Sequence, residues 1–113
     1  MNVTATKNAL VDALAGLGAH VGLATGAPGT TATPANEASG GSYARVATTW
    51  AAASGGVRTG AAVIINAQSG TYTHGFIASA ATGNTMIDNA ALSPSIVLNA
   101  PGQIVVTPTL AVV

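Results

Sequence analysis

The groups in this sequence able to do acid–base, nucleophilic or metal chemistry are His20, His74 and the carboxylates of Asp12, Glu37 and Asp88. A hydrolytic triad would use His74 and Asp88 to activate a serine, the imidazole taking the hydroxyl proton while the carboxylate fixes its tautomer. No serine stands in a Gly-x-Ser-x-Gly elbow or a comparable nucleophile context. His74 therefore reads as a strand residue with an ordinary hydrogen bond. A glycosidase would need two carboxylates facing one bond. Asp12, Glu37 and Asp88 fall on an expected helix, loop and short strand, and nothing in the sequence brings two of them together. A metal held by His20, His74 and Asp88 would need three ligands to converge without a spacing such as His-x-x-x-His. There is no cysteine, which excludes disulfides and thiolate metal sites. The expectation is no catalytic residue, no cofactor and no metal: not an enzyme.

Two other sets of residues carry more weight. Trp50, Tyr43 and Tyr72 could stack on sugar rings. Trp50, however, is the sole tryptophan and alternates with Val46, which suits a core anchor, and Tyr43 suits a hydrogen bond where its strand begins. Glu37 and Arg45 lie eight residues apart across a glycine-rich turn. Paired, they would fix the base of a long loop. An exposed pair contributes only about 0–1 kcal/mol, so its value would be geometric, through the rigid planar fork of arginine.

The elements that position these groups follow from periodicity. Leu10, Ala13, Leu14 and Leu17 recur at helical spacing. They predict a helix over residues 6–17, capped by Thr4 or Thr6 and stopped at Gly18. Leu10, Leu14 and Leu17 would form its docking stripe. Beyond Gly18 come short extended pieces, the first with Val21 and Leu23 on one side. Residues 26–41 form a loop rich in Gly, Ala, Pro, Thr and Ser, longer than compact domains usually carry without a use, and so a segment to reach a partner. Strands are expected over Tyr43–Ala51, Val57–Asn66 and Thr71–Ala80, the last two as a hairpin across Gln68-Ser69-Gly70. Thr85–Asn89, Ile96–Leu98 and Gln103–Val113 follow, with Pro108 marking an edge or bulge in the last. The fold class is mainly β: one domain over 1–113, a small β-sandwich or jelly-roll-like barrel of six to eight antiparallel strands with one N-terminal α-helix.

Composition adds a constraint. The 113 residues include one Trp, one Phe, two Tyr and two Met, while Ala, Gly, Thr and Val dominate. So little bulky apolar surface leaves a small core with a modest margin and favours further burial against neighbours. Only 5% of residues are charged and the formal net charge is zero, against a usual charged share of roughly 25%. Three scattered basic residues cannot replace counterions on phosphates, which excludes nucleic acid as a partner. The uncharged stretch Ala13–Asn36 is interrupted by Gly26, Pro28, Gly29 and Pro34 and does not suit a membrane span. Asp12 interrupts the apolar run at 9–24, and a basic leader is lacking beyond Lys7, so no signal peptide is expected.

Several stretches carry a resemblance. They are His20-Val21-Gly22-Leu23, Ala27-Pro28-Gly29, the run Asn36-Glu37-Ala38-Ser39-Gly40-Gly41-Ser42-Tyr43-Ala44-Arg45 and Thr49-Trp50-Ala51-Ala52-Ala53. Ser69-Gly70-Thr71-Tyr72-Thr73-His74-Gly75-Phe76, Ala81-Thr82-Gly83-Asn84 and Asn89-Ala90-Ala91-Leu92 continue it. Together they resemble a family of small virion proteins from phages of mycobacteria and related actinobacteria, usually labelled tail fibre or minor tail protein. The strand at Ala61–Asn66 departs from that pattern in lacking a Pro and a Phe. The resemblance implies a virion protein assembled in the bacterial cytoplasm. The first expectation is a capsid decoration or minor capsid protein bound to the major capsid protein or to further copies of itself. The alternative is a tail-associated fibre or minor tail protein that contacts tail proteins and possesses, at most, a host-glycan site. The structural and interaction candidates are Leu10, Leu14, Leu17, Glu37, Tyr43, Arg45 and Trp50.

Overall fold

Helix α1 (Thr4–Leu17) opens the chain, and every later regular element is a strand. Residues 2–112 are described in a computed structural model; Met1 and Val113, the end of the expected last strand, lie outside them. The strands are β1 (His20–Ala24), β2 (Val46–Ala47), β3 (Val57–Thr59), β4 (Val63–Ala67), β5 (Gly70–Ala78), β6 (Met86–Leu98), β7 (Gly102–Val106) and β8 (Thr109–Ala111). All their pairings are antiparallel. One sheet has the order β2-β1-β5-β6, while β3 pairs with β8 and β4 with β7.

These last two ladders are one ribbon with a bulge. From Thr59 to Val63 one arm advances four residues while the other retreats three, from Thr109 to Val106. The Gly60 amide donates to the Pro108 carbonyl at 2.8 Å and keeps the arms together there. Residues 48–51 tie the ribbon to the sheet. Thr48 N–H donates to Ala19 O, while Ala51 N–H reaches Thr59 O and Ala61 N–H reaches Thr49 O. The barrel is not closed. An open groove of about 190 Å³ separates β6 at Asp88–Leu92 from the ribbon at Val106–Leu110, floored by Val21 and Ile77.

The core fills the space between sheet, ribbon and helix. Val21 and Leu23 of β1, Tyr72 and Ile77 of β5, and Val63, Ile65 and Ala67 of β4 meet Ile104, Leu110, Val11 and Ala15 there. Strand β4 shows the expected period of two, with Ile64 and Asn66 facing out between buried neighbours. A smaller cluster of Phe76, Ala78 and Met86 covers the opposite face of the sheet.

Several expectations need correction. The helix starts at Thr4, and neither threonine caps it; Val3 is the N-cap residue and contributes no side-chain hydrogen bond. Its buried face is Val11 and Ala15, against β3 and β8, and not the leucine stripe. These smaller side chains let the helix lie close on the ribbon. Leu14 packs at the core margin, whereas Leu10 and Leu17 are 42% and 56% exposed. Gly18 does end the helix, and a Cβ there would stand 2.5 Å from the Ala78 carbonyl oxygen.

The expected strand Tyr43–Ala51 shrinks to Val46–Ala47, because the residues after it leave β1 and cross to β3. The turn Gln68-Ser69-Gly70 is a corner between layers and not a hairpin: β4 pairs with β7, and β5 pairs with β1 and β6. The expected strands Thr85–Asn89 and Ile96–Leu98 merge, from Met86 onward, into one strand, β6, which absorbs Pro94 by bulging. Tyr72 faces Ile96, yet His74 already faces Ala91. The last run breaks at Thr107–Pro108 into β7 and β8. Finally, the 26–41 loop does not reach outward. Ala35 N–H bonds Pro28 O, Ala38 N–H bonds Leu23 O and Met86 N–H bonds Ala32 O, so the loop lies on the sheet.

Candidate functional site

The most ordered polar feature is built where that loop returns to the sheet. Glu37 stands opposite Ala24 in an isolated bridge at the end of β1. Arg45 precedes β2, and the turn between β5 and β6 arrives from the other side. The Arg45 side chain is 3% exposed. Its Nε donates to Glu37 Oε2 at 2.9 Å and its Nη2 to Glu37 Oε1 at 2.9 Å, a two-pronged fork. Nη2 also donates to Gly83 O at 2.9 Å, and Nη1 to Ala80 O and Thr85 Oγ1, both at 3.1 Å. A guanidinium has five N–H donors, and here each has an acceptor. Its carbon lies 5.1 Å from the centre of the Phe76 ring, a cation–π contact. Phe76 in turn lies on Gly22, where a Cβ would come within 2.3 Å of the ring.

Tyr43 completes the cluster. Its hydroxyl accepts from Leu23 N–H at 3.1 Å and donates to Glu37 Oε2 at 2.9 Å. Burial first, and donation to the Glu37 carboxylate second, push its ionisation well above the ordinary phenol range against the pull of the Leu23 amide. The Arg45 guanidinium is held charged even more firmly than usual by its bonds to Glu37. The cation joins the 26–41 loop, the approach to β2 and the β5–β6 turn, and the Tyr43 hydroxyl ties β1 to them through Leu23.

The other candidates do not converge into a reactive set. His74 faces Ala91 and Asp88 faces Ile77, three rungs apart and so about 10 Å along the sheet. An odd number of steps also places them on opposite faces. Asp12 bonds Arg58 on the ribbon at 3.3 Å, and Glu37 belongs to the clamp. Asp88 is the one titratable side chain lining the open groove, leaving it without an acid–base partner there. His74 Nδ1 lies 2.8 Å from Thr73 Oγ1, and His20 Nδ1 is buried without a hydrogen-bond partner among the described residues. Among those residues no group of three or more His, Asp or Glu side chains lies together as a metal site would require.

The aromatic residues are separately employed. Trp50 donates to the Gly18 carbonyl at 3.2 Å, satisfying the end of α1. Tyr72 is 3% exposed and donates to Gln68 O at 2.7 Å, bracing the corner before β5. Sequence reasoning found Glu37, Tyr43 and Arg45 but missed Ala80, Gly83, Thr85 and Phe76. The sequence Thr82-Gly83-Asn84 has the composition of a turn, and turns offer free carbonyls.

A family model described as podophage GP4 fiber I protein gp80 matches residues 3–111. The chain belongs to that family of phage fibre proteins. The match spans the helix, the clamp and all eight strands. No curated protein and no solved structure matches the chain. The resemblance to a phage fibre family is thereby sustained, and virion localisation with it, while the match carries no tie to actinobacterial hosts. No helix among the described residues is long and apolar enough to cross a membrane.

Proposed function

We propose that this chain is a tail-associated fibre component of a phage particle, acting by shape and adhesion and not by catalysis. The observation that carries the reading is the fibre-family match over residues 3–111. It favours the tail over the capsid-surface role expected first from the sequence. The clamp suits such a part, because it gives a small core a fixed outline without relying on bulky apolar residues. Four of the six charged side chains are spent on the pairs Arg45–Glu37 and Arg58–Asp12. That supports protein partners, tail proteins and further copies of this chain, over nucleic acid. The Ala-, Gly-, Thr- and Val-rich composition fits a phage of GC-rich hosts such as the actinobacteria.

The test is copy number in purified particles, by quantitative mass spectrometry against labelled peptides. A handful of copies per particle, removed together with detached tails, is expected. Hundreds of copies that stay with tail-less heads would overturn the reading in favour of capsid decoration.

A further inference from the structure

Beside the open groove the two layers of the fold do not match in width. Val21 of β1, Ile77 of β5 and Asp88 of β6 stand directly opposite one another, so all three face the core side of the sheet. Val21 and Ile77 are buried there, whereas Asp88 and, two residues on, Ala90 are exposed. The ribbon covers β1 and β5 and stops short of β6.

Strand β6 is also the edge of its sheet, while β7 and β8 pair only with β4 and β3. Both walls of the groove are therefore strand edges with no strand beside them. The free edge of β6 has defined ends. On one side the 26–41 loop lies against it, Ala32 O accepting from Met86 N–H at 3.0 Å and Gly29 O from the Asn89 side chain at 2.9 Å. On the other, Pro94 lacks an N–H to offer. Between them the outer backbone groups of Asp88–Leu92 are open to an extended chain.

Asp88 decides what kind of chain that is. Arg45 and Arg58 are paired with Glu37 and Asp12, but Asp88 has no cation beside it among the described residues. Its Oδ1 accepts from the Asn89 amide at 2.9 Å. An inward carboxylate keeps other strands off an edge, because covering it without a counter-charge is costly. A strand that brings a cation to it escapes that penalty, so one group both rejects and selects.

From these observations we infer that the groove takes an extended segment of another protein, added antiparallel to β6 at Asp88–Leu92 and presenting Lys or Arg to Asp88. Directly opposite residues interact across a strand pair. The segment therefore reads apolar-x-apolar-x-Lys/Arg, its apolar side chains opposite Leu92 and Ala90. Backbone bonds to the β6 edge supply the attachment, as in other strand additions. Within this chain Val3-Thr4-Ala5-Thr6-Lys7 has that spacing, but Thr4–Lys7 is the first turn of α1 and not extended. A different protein is thus the occupant, and not a second copy. The site is the same on a tail or a capsid protein, so its test and the copy-number test fail separately.

The experiment is affinity selection on the full chain from capped heptapeptides Thr-x-Thr-x-Thr-x-Thr, with every residue type at each x. Lys or Arg is expected at the third x, enriched about tenfold or more over Glu. Asp88→Lys should invert that preference. Asp88→Asn should erase it without disturbing the fold, since the side chain is exposed. In NMR titration the selected peptide should shift the amides of Asp88–Leu92 and not those of α1, and methylating its backbone nitrogens should remove binding. No enrichment on the wild-type chain refutes the inference. So does a Lys preference that survives in Asp88→Lys, or shifts confined to another surface. A mass above the single chain's 10.8 kDa that Asp88→Lys abolishes would overturn it in favour of a second copy.

Discussion

Replacing Arg45 by Met retains length and apolar volume while deleting all five donors of the clamp. Glu37 would then stand without its cation, and the carbonyls of Ala80 and Gly83 and the Thr85 hydroxyl would each lose an Arg45 bond. Removing one partner of a buried ion pair costs about 3–5 kcal/mol, mainly because the other charge is left uncompensated. The Glu37 side chain is 24% exposed and recovers some hydration, which argues for the lower end. We expect a loss of about 3 kcal/mol, a large share of the total for a domain with a stability of about 5–15 kcal/mol. Arg45→Lys should lose less but still be destabilised, since an ammonium holds charge without the planar fork. Urea unfolding followed through the fluorescence of Trp50, the sole tryptophan, measures both. The reasoning also fixes a coupling. Glu37→Gln alone destabilises, but added to Arg45→Met it should cost much less, leaving an interaction of more than about 1 kcal/mol in the double-mutant cycle. Additive effects, or a loss below about 1 kcal/mol for Arg45→Met, would refute the clamp as the organiser of this end of the fold.

Other outcomes follow from the same geometry. Tyr43 has its folded ionisation raised above the unfolded value of 10.0. The folded state therefore holds a proton that the unfolded state has released, so this stabilisation is complete below the unfolded value and is lost as pH rises beyond it. Alkaline urea titrations should show stability falling above that value, with a shallower fall in Tyr43→Phe; equal slopes would exclude the linkage. Gly22→Ala places a methyl into the Phe76 ring, which Arg45 covers from above. It should lower stability by about 1–3 kcal/mol in thermal unfolding, as overpacking does. Gly16→Ala meets open space and should instead raise the helical circular dichroism signal and stability by up to about 1 kcal/mol.

Those contrasts show which levels of the fold the chain makes legible. Extended segments were readable because apolar residues alternate: Val63, Ile65 and Ala67 bury while Ile64 and Asn66 do not. Their partners were not readable. Gln68-Ser69-Gly70 has the composition of a hairpin turn, but Tyr72 folds back to the Gln68 carbonyl and makes it a corner, sending β5 to β1 and β6. Pairing is a long-range property, and turn composition alone does not state which layer the next strand joins. The helix failed for a related reason. Its leucines form the more apolar stripe by size, yet the ribbon accepts Val11 and Ala15 because two thin strands favour close approach over bulk.

The site was partly legible for the opposite reason: charges here are so few that each must be accounted for. In a chain with six ionisable charges, a Glu and an Arg flanking a glycine-rich turn are not dispersed surface polarity. The pair is near-buried, and a buried guanidinium persists only when every donor is met. That requirement reaches beyond the two residues named by spacing. It obliges the β5–β6 turn to present Ala80 O, Gly83 O and Thr85 Oγ1 at hydrogen-bond distance, and it sets Phe76 beneath the cation. None of these contacts is local, with Arg45 lying 35 to 40 residues from its turn acceptors. The clamp thus links loop, sheet and turn by polar geometry where the apolar core is thin. It also consumes charge that would otherwise stand on the surface: Glu37 and Arg45 are two of the six charged residues.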